Sequence, residues 1–173
     1  ITFFPLLGLW AWGIMWTHYA YGGLRLVFPS LQKNKTYSKL SGALVLALIL
    51  LHPVLLAASQ WQNTKSLPPG SIYSYVLPEH KIYIFLGTIG LILFLSFEIF
   101  ERIKNNPYIK KHWKWISLSQ MLAMVLIFFH ALSIGSAYYI GWFEFYWVVL
   151  GALLIPCFGL IGRADWRNKP YTP

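Results

Sequence analysis

Five apolar runs, each long enough to cross a bilayer, constrain this sequence more than any other feature. A spanning helix needs about 20 consecutive apolar residues, and the runs cover residues 3–24, 40–59, 82–100, 115–135 and 143–161. Hydrophobic residues make up 57% of the chain and charged residues only 11%, whereas roughly a quarter of a soluble domain is charged. The sequence therefore predicts an all-α integral membrane protein, in which residues 1–173 form one bundle of about five transmembrane helices.

Basic residues predict the orientation of this bundle. The segments after the first, third and fifth runs hold four, five and three of the Lys and Arg residues, or 12 of the 14, and only Lys65 and Lys81 lie on the other side. Because cytoplasmic segments are enriched in Lys and Arg, we expect the N-terminus outside and the C-terminus inside a cell (inner or plasma) membrane. The net charge of +9 is thus explained without a nucleic-acid partner, and the single Cys157 excludes an internal disulfide and any multi-cysteine metal site.

Two histidines lie deep inside apolar runs. His52 is the only ionisable residue of residues 40–59, LSGALVLALILLHPVLLAAS, and His130 lies near the end of WKWISLSQMLAMVLIFFHAL. An ionisable side chain in hydrocarbon is costly, so each histidine is a candidate functional residue. Pairs of imidazoles are typical axial ligands of haem iron, and we interpret His52 and His130 as a metal-binding pair, most simply a haem site.

The depth of the two histidines in the bilayer supports this pairing. His52 follows Lys39 by 13 residues and His130 follows Lys114 by 16 residues, which correspond to about 20 and 24 Å along a helix. The second and fourth helices are predicted to run in the same direction, from inside to outside. Both imidazoles should therefore lie in the outer half of a hydrocarbon core roughly 30 Å thick.

Three stretches resemble a known membrane family in order and spacing. These are LGLWAW in the first run, YSKLSGALVLALILLH leading into the second and HWKWISLSQMLAMVLIFFH leading into the fourth. They resemble the ferric-reductase-like transmembrane domain of ferric reductases, NADPH oxidases and the haem-binding subunit of the periplasmic methionine sulfoxide reductase system. The resemblance covers nearly the whole chain and implies a helical bundle in which His52 and His130 ligate an outer haem b.

The resemblance also implies that a second, inner haem is missing. It places the inner ligands 14 residues before His52 and 13 residues before His130, and these positions hold Ser38 and Ser117. Both losses concern the same haem, so the chain is interpreted as a one-haem variant. The sequence also contains no GxGxxG motif and no soluble flavin or nicotinamide module. Electrons would then enter from a membrane quinol or from a redox protein partner.

The chain is therefore predicted to be the electron-transfer subunit of an oxidoreductase system. One bis-histidine haem b, with a quinone as a further candidate cofactor, would relay electrons from a quinol or redox partner to an acceptor on the outer side. The first alternative is a haem-free scaffold or assembly subunit with the same fold. The second is a transporter whose paired histidines form a metal path, which is disfavoured because no carboxylate lies near His52 or His130 in the sequence.

Other polar residues have simpler interpretations beside functional ones. His18, near the inner end of the first run, either hydrogen-bonds a quinone or lines the vacated inner site, or is an ordinary interfacial residue. His80 either neighbours a haem propionate or is solvated, and His112 belongs to a solvated basic segment. Ser117 and Gln120 are expected to fill the space of the absent inner haem through hydrogen bonds between helices, and Gly87 to allow close helix packing.

Overall fold

Five long helices make up nearly all of the described structure, a computed structural model that describes residues 4–31, 35–71, 78–134 and 141–166. Every predicted apolar run coincides with a helix that extends beyond it at one end or both, and no strand occurs in the described ranges. The helices are α1 (Phe4–Val27), α2 (Lys35–Thr64), α3 (Lys81–Arg102), α4 (Pro107–Ile134) and α5 (Gly141–Trp166), and a 3₁₀ turn (Pro78–His80) precedes α3. The all-α prediction is confirmed.

Four of the five helices are long and apolar enough to cross a membrane, namely α2, α3, α4 and α5. This composition indicates a multi-pass membrane protein. The first helix, α1, has 24 residues and does not belong to this set. The predicted orientation depends partly on basic residues at 32–34 and 167–173, which lie outside the described residues.

The central position of α1 in the bundle accounts for its many aromatic residues, which pack against the neighbouring helices. It packs against α2, α4 and α5, while α3 packs mainly against α4. Trp12 is completely buried. Its Nε1 donates a hydrogen bond to the Met124 carbonyl of α4 at 3.3 Å, and its ring lies 4.2 Å from that of Trp147 in α5. Trp16 donates to the Leu150 carbonyl at 2.9 Å, so two indoles fix α1 to its neighbours.

The second helix is held differently. It packs along α1 but makes little direct contact with α3 or α4, and it continues through Pro53 as one helix of 30 residues. The separation of α2 from α4 bears on the predicted histidine pair, since the first histidine belongs to α2 and the second to α4.

Candidate functional site

The fold brings the two predicted histidines together. The imidazole centres of His52 and His130 lie 6.5 Å apart, with an angle of 89° between the ring planes. Both side chains are largely covered by neighbouring residues. The sequence pattern could indicate only that they lie at similar depth. The structure adds that the two rings face the same space between α2 and α4, at the end of the bundle where α1 and α3 begin.

Each imidazole is fixed by a backbone carbonyl of an adjacent helix. Nδ1 of His52 donates to the Phe4 carbonyl of α1 at 2.6 Å, and Nδ1 of His130 donates to the Tyr83 carbonyl of α3 at 2.8 Å. A carbonyl can only accept a hydrogen bond, so the proton lies on Nδ1 in both rings. The lone pair of each Nε2 is then available to a metal. A bond from the second ring nitrogen to a carbonyl is the usual way in which proteins orient a histidine ligand.

The same local arrangement occurs twice. The carbonyl that binds His52 belongs to Phe4, and Gly8 lies four residues later; the carbonyl that binds His130 belongs to Tyr83, and Gly87 lies four residues later. A Cβ atom on Gly8 would lie 3.3 Å from Cε1 of His52, and one on Gly87 would lie 2.4 Å from Nδ1 of His130. Both glycines therefore make room for an imidazole beside the carbonyl that orients it.

This geometry fits a haem. A bond between a metal and an imidazole nitrogen is about 2 Å long, so two axial imidazoles on one iron place their ring centres roughly 6 Å apart. The separation of 6.5 Å between His52 and His130 matches this requirement without movement of either helix. The residues present therefore fit a bis-histidine haem in donor type, tautomer and spacing.

A metal site built from side chains alone fits less well. In the described part of the chain, no group of three or more His, Cys, Asp or Glu side chains is placed to hold a metal ion. Structural and catalytic zinc sites use at least three protein ligands. A haem supplies four ligands from its own porphyrin and needs only the two imidazoles from the protein. The donor set favours the haem interpretation over a metal path through paired histidines.

The two positions predicted to have lost an inner haem face one cavity. Ser38 and Ser117 both line a space of about 780 Å³, bounded mainly by α1, α2, α3 and α4, that extends from the end of the bundle opposite the histidine pair to Leu50, two residues before His52. The expected hydrogen bond between helices is present at Gln120, whose Oε1 accepts from the Tyr19 hydroxyl of α1. Ser117 and Gln120 nevertheless lie in the cavity wall and leave the volume open.

Polar residues around this cavity bond to one another. Nε2 of His18 lies 2.8 Å from Oγ of Ser41, and the His18 ring stacks on that of Tyr37. The Tyr19 hydroxyl donates to Oε1 of Gln120 at 2.8 Å. His18 therefore lines the predicted inner site, as one of its interpretations required, and the Ser41 hydroxyl holds its ring against α2.

The two other histidines lie outside the pair and outside the cavity wall, although His80 adjoins the pair through Tyr83. Nδ1 of His112 donates to the Tyr108 carbonyl of its own helix at 2.9 Å, in an exposed position, which agrees with a solvated residue. The ring of His80 contacts that of Tyr83 at 6.2 Å. Tyr83 was not identified from the sequence, and neither were Phe4 and Gly8. Only the repeated pattern of an aromatic residue four positions before a glycine could have indicated them.

Gly87 provides a test of the site's geometry. We expect Gly87→Ala to displace the His130 ring and weaken haem binding, because its Cβ would lie 2.4 Å from Nδ1; overpacking of this kind costs about 1–3 kcal/mol. Gly90→Ala is the matched control, since its Cβ would lie 2.7 Å from the Ile127 side chain on the same pair of helices. Absorption spectra should change in the first variant only. Equal spectral changes in both would show that general helix packing, and not His130, is responsible.

The chain was also compared with known protein families, with curated proteins and with solved structures, and none of the three comparisons finds a match.

Proposed function

We propose that this protein is a membrane electron-transfer subunit that carries one haem b between His52 and His130. The observation that carries the proposal is the doubled arrangement in which each Nδ1 is bound by a carbonyl and the two rings lie 6.5 Å apart. The sequence resemblance to the ferric-reductase-like transmembrane domain supports the same assignment. The chain would be a one-haem form of that domain.

The residues of the chain perform three tasks in this proposal. His52 and His130 would hold the haem iron through their Nε2 atoms, and a haem held by two imidazoles would transfer electrons and not bind oxygen. The carbonyls of Phe4 and Tyr83 keep both rings in one tautomer and one orientation. The surrounding apolar helices exclude water. The bound haem supplies a centre that accepts and releases one electron at a time.

The chain would have a defined orientation in the membrane, and electrons would cross it by a defined path. The positive-inside pattern places the histidine pair in the outer half of an inner or plasma membrane, with an acceptor on the outer side. Ser38 and Ser117 cannot ligate an inner haem as histidine does, so the donor is a membrane quinol or a redox protein partner. A quinol could approach the haem from within the bilayer, where α2 is not covered by α3 or α4.

Reduction and reoxidation in sealed vesicles test the function. We expect a short-chain quinol added to the vesicles to reduce the haem of the reconstituted protein. Ferricyanide does not cross the membrane, and it should reoxidise the haem when it is present on the outer side of the protein. Carbon monoxide should leave the spectrum of the reduced haem unchanged, because both axial positions are occupied. A spectral shift with carbon monoxide would contradict the paired ligation.

A further inference from the structure

The cavity of about 780 Å³, which opens at the end of the bundle opposite the histidine pair, has two chemically different parts. Its inner part is apolar. Leu46 and Leu50 of α2 face it from one side, and Phe94 and Phe97 of α3 from the other. Because α2 and α3 make little direct contact, the space between them is open towards the bilayer. A hydrocarbon chain could enter along this path without breaking any helix contact.

The mouth of the cavity is basic. Four cationic side chains line it, Arg25, Lys39, Arg102 and Lys104, together with the carboxylates of Glu98 and Glu101. Glu101 forms an ion pair with Lys104, and Glu98 lies within electrostatic reach of Arg102, one helical turn later. In the described part of the chain Glu98 forms no ion pair, and Lys104–Glu101 is the one found there. The four cations outnumber the two carboxylates, so the mouth keeps an excess of positive charge.

Arg25 and Lys39 have no anionic partner in the described part of the chain. Neither side chain takes part in an ion pair or a side-chain hydrogen bond there, and Nε of Arg25 is buried without an acceptor. A buried guanidinium nitrogen without an acceptor loses the hydrogen bond that water would have provided. Two unpaired cations at the mouth of an apolar space therefore favour a ligand with an anionic head and a hydrocarbon tail.

We propose that this cavity binds one anionic phospholipid, with the phosphate between Arg25 and Lys39 and an acyl chain between α2 and α3. Basic pockets between transmembrane helices on the cytoplasmic side are suited to anionic headgroups, and the positive-inside pattern predicts that side for this end of the bundle. A quinol is a less suitable occupant, because its headgroup is uncharged and the nearby His18–Ser41 and Tyr19–Gln120 pairs are already hydrogen-bonded. The lipid site is independent of the haem proposal.

Charge substitution tests the headgroup site. The purified full chain in nonionic detergent is titrated with dioleoylphosphatidylglycerol or dioleoylphosphatidylcholine, and binding is followed by native mass spectrometry and thermal unfolding. We expect one phosphatidylglycerol per chain, with a rise in unfolding temperature that phosphatidylcholine does not produce. The double variant Arg25→Gln with Lys39→Gln should bind it about tenfold more weakly. The control, Lys110→Gln with Lys111→Gln, removes the same charge from exposed positions outside the cavity and should bind as the unaltered chain does.

A second variant tests the part of the cavity that would bind the acyl chain, without a change of charge. Gly42 lines the cavity, and a Cβ atom there would meet nothing within 4 Å, so Gly42→Leu should fold and block the acyl chain. A Cβ atom on Gly159 would also meet nothing within 4 Å, and Gly159 lies outside the cavity wall, so Gly159→Leu should keep lipid binding. An equal loss of phosphatidylglycerol binding in the cavity variants and in their controls would overturn the proposal. So would equal stabilisation by inorganic phosphate, or a porphyrin or quinone found in place of the lipid.

Discussion

Loss of either axial histidine should abolish haem binding. We expect His52→Ala and His130→Ala each to be purified as folded protein with the Soret band lost or strongly reduced, because a single imidazole leaves the iron with one protein ligand. The second ring would remain bound to its carbonyl, through Phe4 for His52 and Tyr83 for His130. The measurement is the ratio of Soret to protein absorbance after reconstitution with excess haem.

Two controls separate ligation from folding. His18→Ala removes a histidine from the cavity at the other end of the bundle and should leave the haem spectrum unchanged. His130→Gly creates space for a free imidazole, and imidazole added to the buffer should restore part of the six-coordinate spectrum. Haem retained at full occupancy in both alanine variants would contradict the assigned ligands. If His18→Ala instead removed the haem, the histidine assignment would be wrong.

Trp12→Ala should produce the largest loss of stability among single substitutions in the helix core. Trp12 is completely buried, donates to the Met124 carbonyl and packs on Trp147 at 4.2 Å, so its removal leaves a cavity where α1, α4 and α5 meet. Truncation of a buried tryptophan costs about 3–5 kcal/mol in soluble proteins. We expect about 3 kcal/mol, since helices in lipid associate through packing and hydrogen bonds and not through the hydrophobic effect.

Trp10→Ala is the matched control for this loss. Trp10 lies two residues earlier on the same helix, but 60% of its side chain is exposed on the surface of the bundle. Thermal unfolding in one detergent, at one protein concentration, should show a large decrease for Trp12→Ala and little change for Trp10→Ala. Similar decreases for both would indicate that α1 is not the packed centre of the bundle.

The helices and the histidine pair could be predicted because each depends on the sequence directly. Apolar runs of spanning length predict helices wherever they occur, and the distances of His52 and His130 from the basic residues Lys39 and Lys114 predict similar depth. The role of α1 was harder to predict, since its tryptophans resemble interfacial anchors in the sequence. Only the fold shows that Trp12 lies at the centre of the bundle.

The remaining parts of the site depend on features that no residue type encodes. The carbonyls of Phe4 and Tyr83 orient the imidazoles, but every residue has a carbonyl, and only the spacing of an aromatic residue four positions before a glycine distinguishes these two in the sequence. The inner cavity depends on how far α2 stands from α3, which is a property of packing. The family resemblance predicts a missing ligand pair at Ser38 and Ser117, whereas the open volume beside them could not be predicted from the small size of serine.

The haem content of the purified, haem-saturated protein tests the central proposal most directly. A pyridine haemochrome assay, combined with protein quantification and with oxidised and dithionite-reduced spectra, gives the type and number of haems per chain. We predict one low-spin haem b per chain. Two haems per chain would contradict the one-haem assignment and implicate His18 beside the inner cavity, while a folded protein that binds no haem would overturn the electron-transfer function and favour a scaffold.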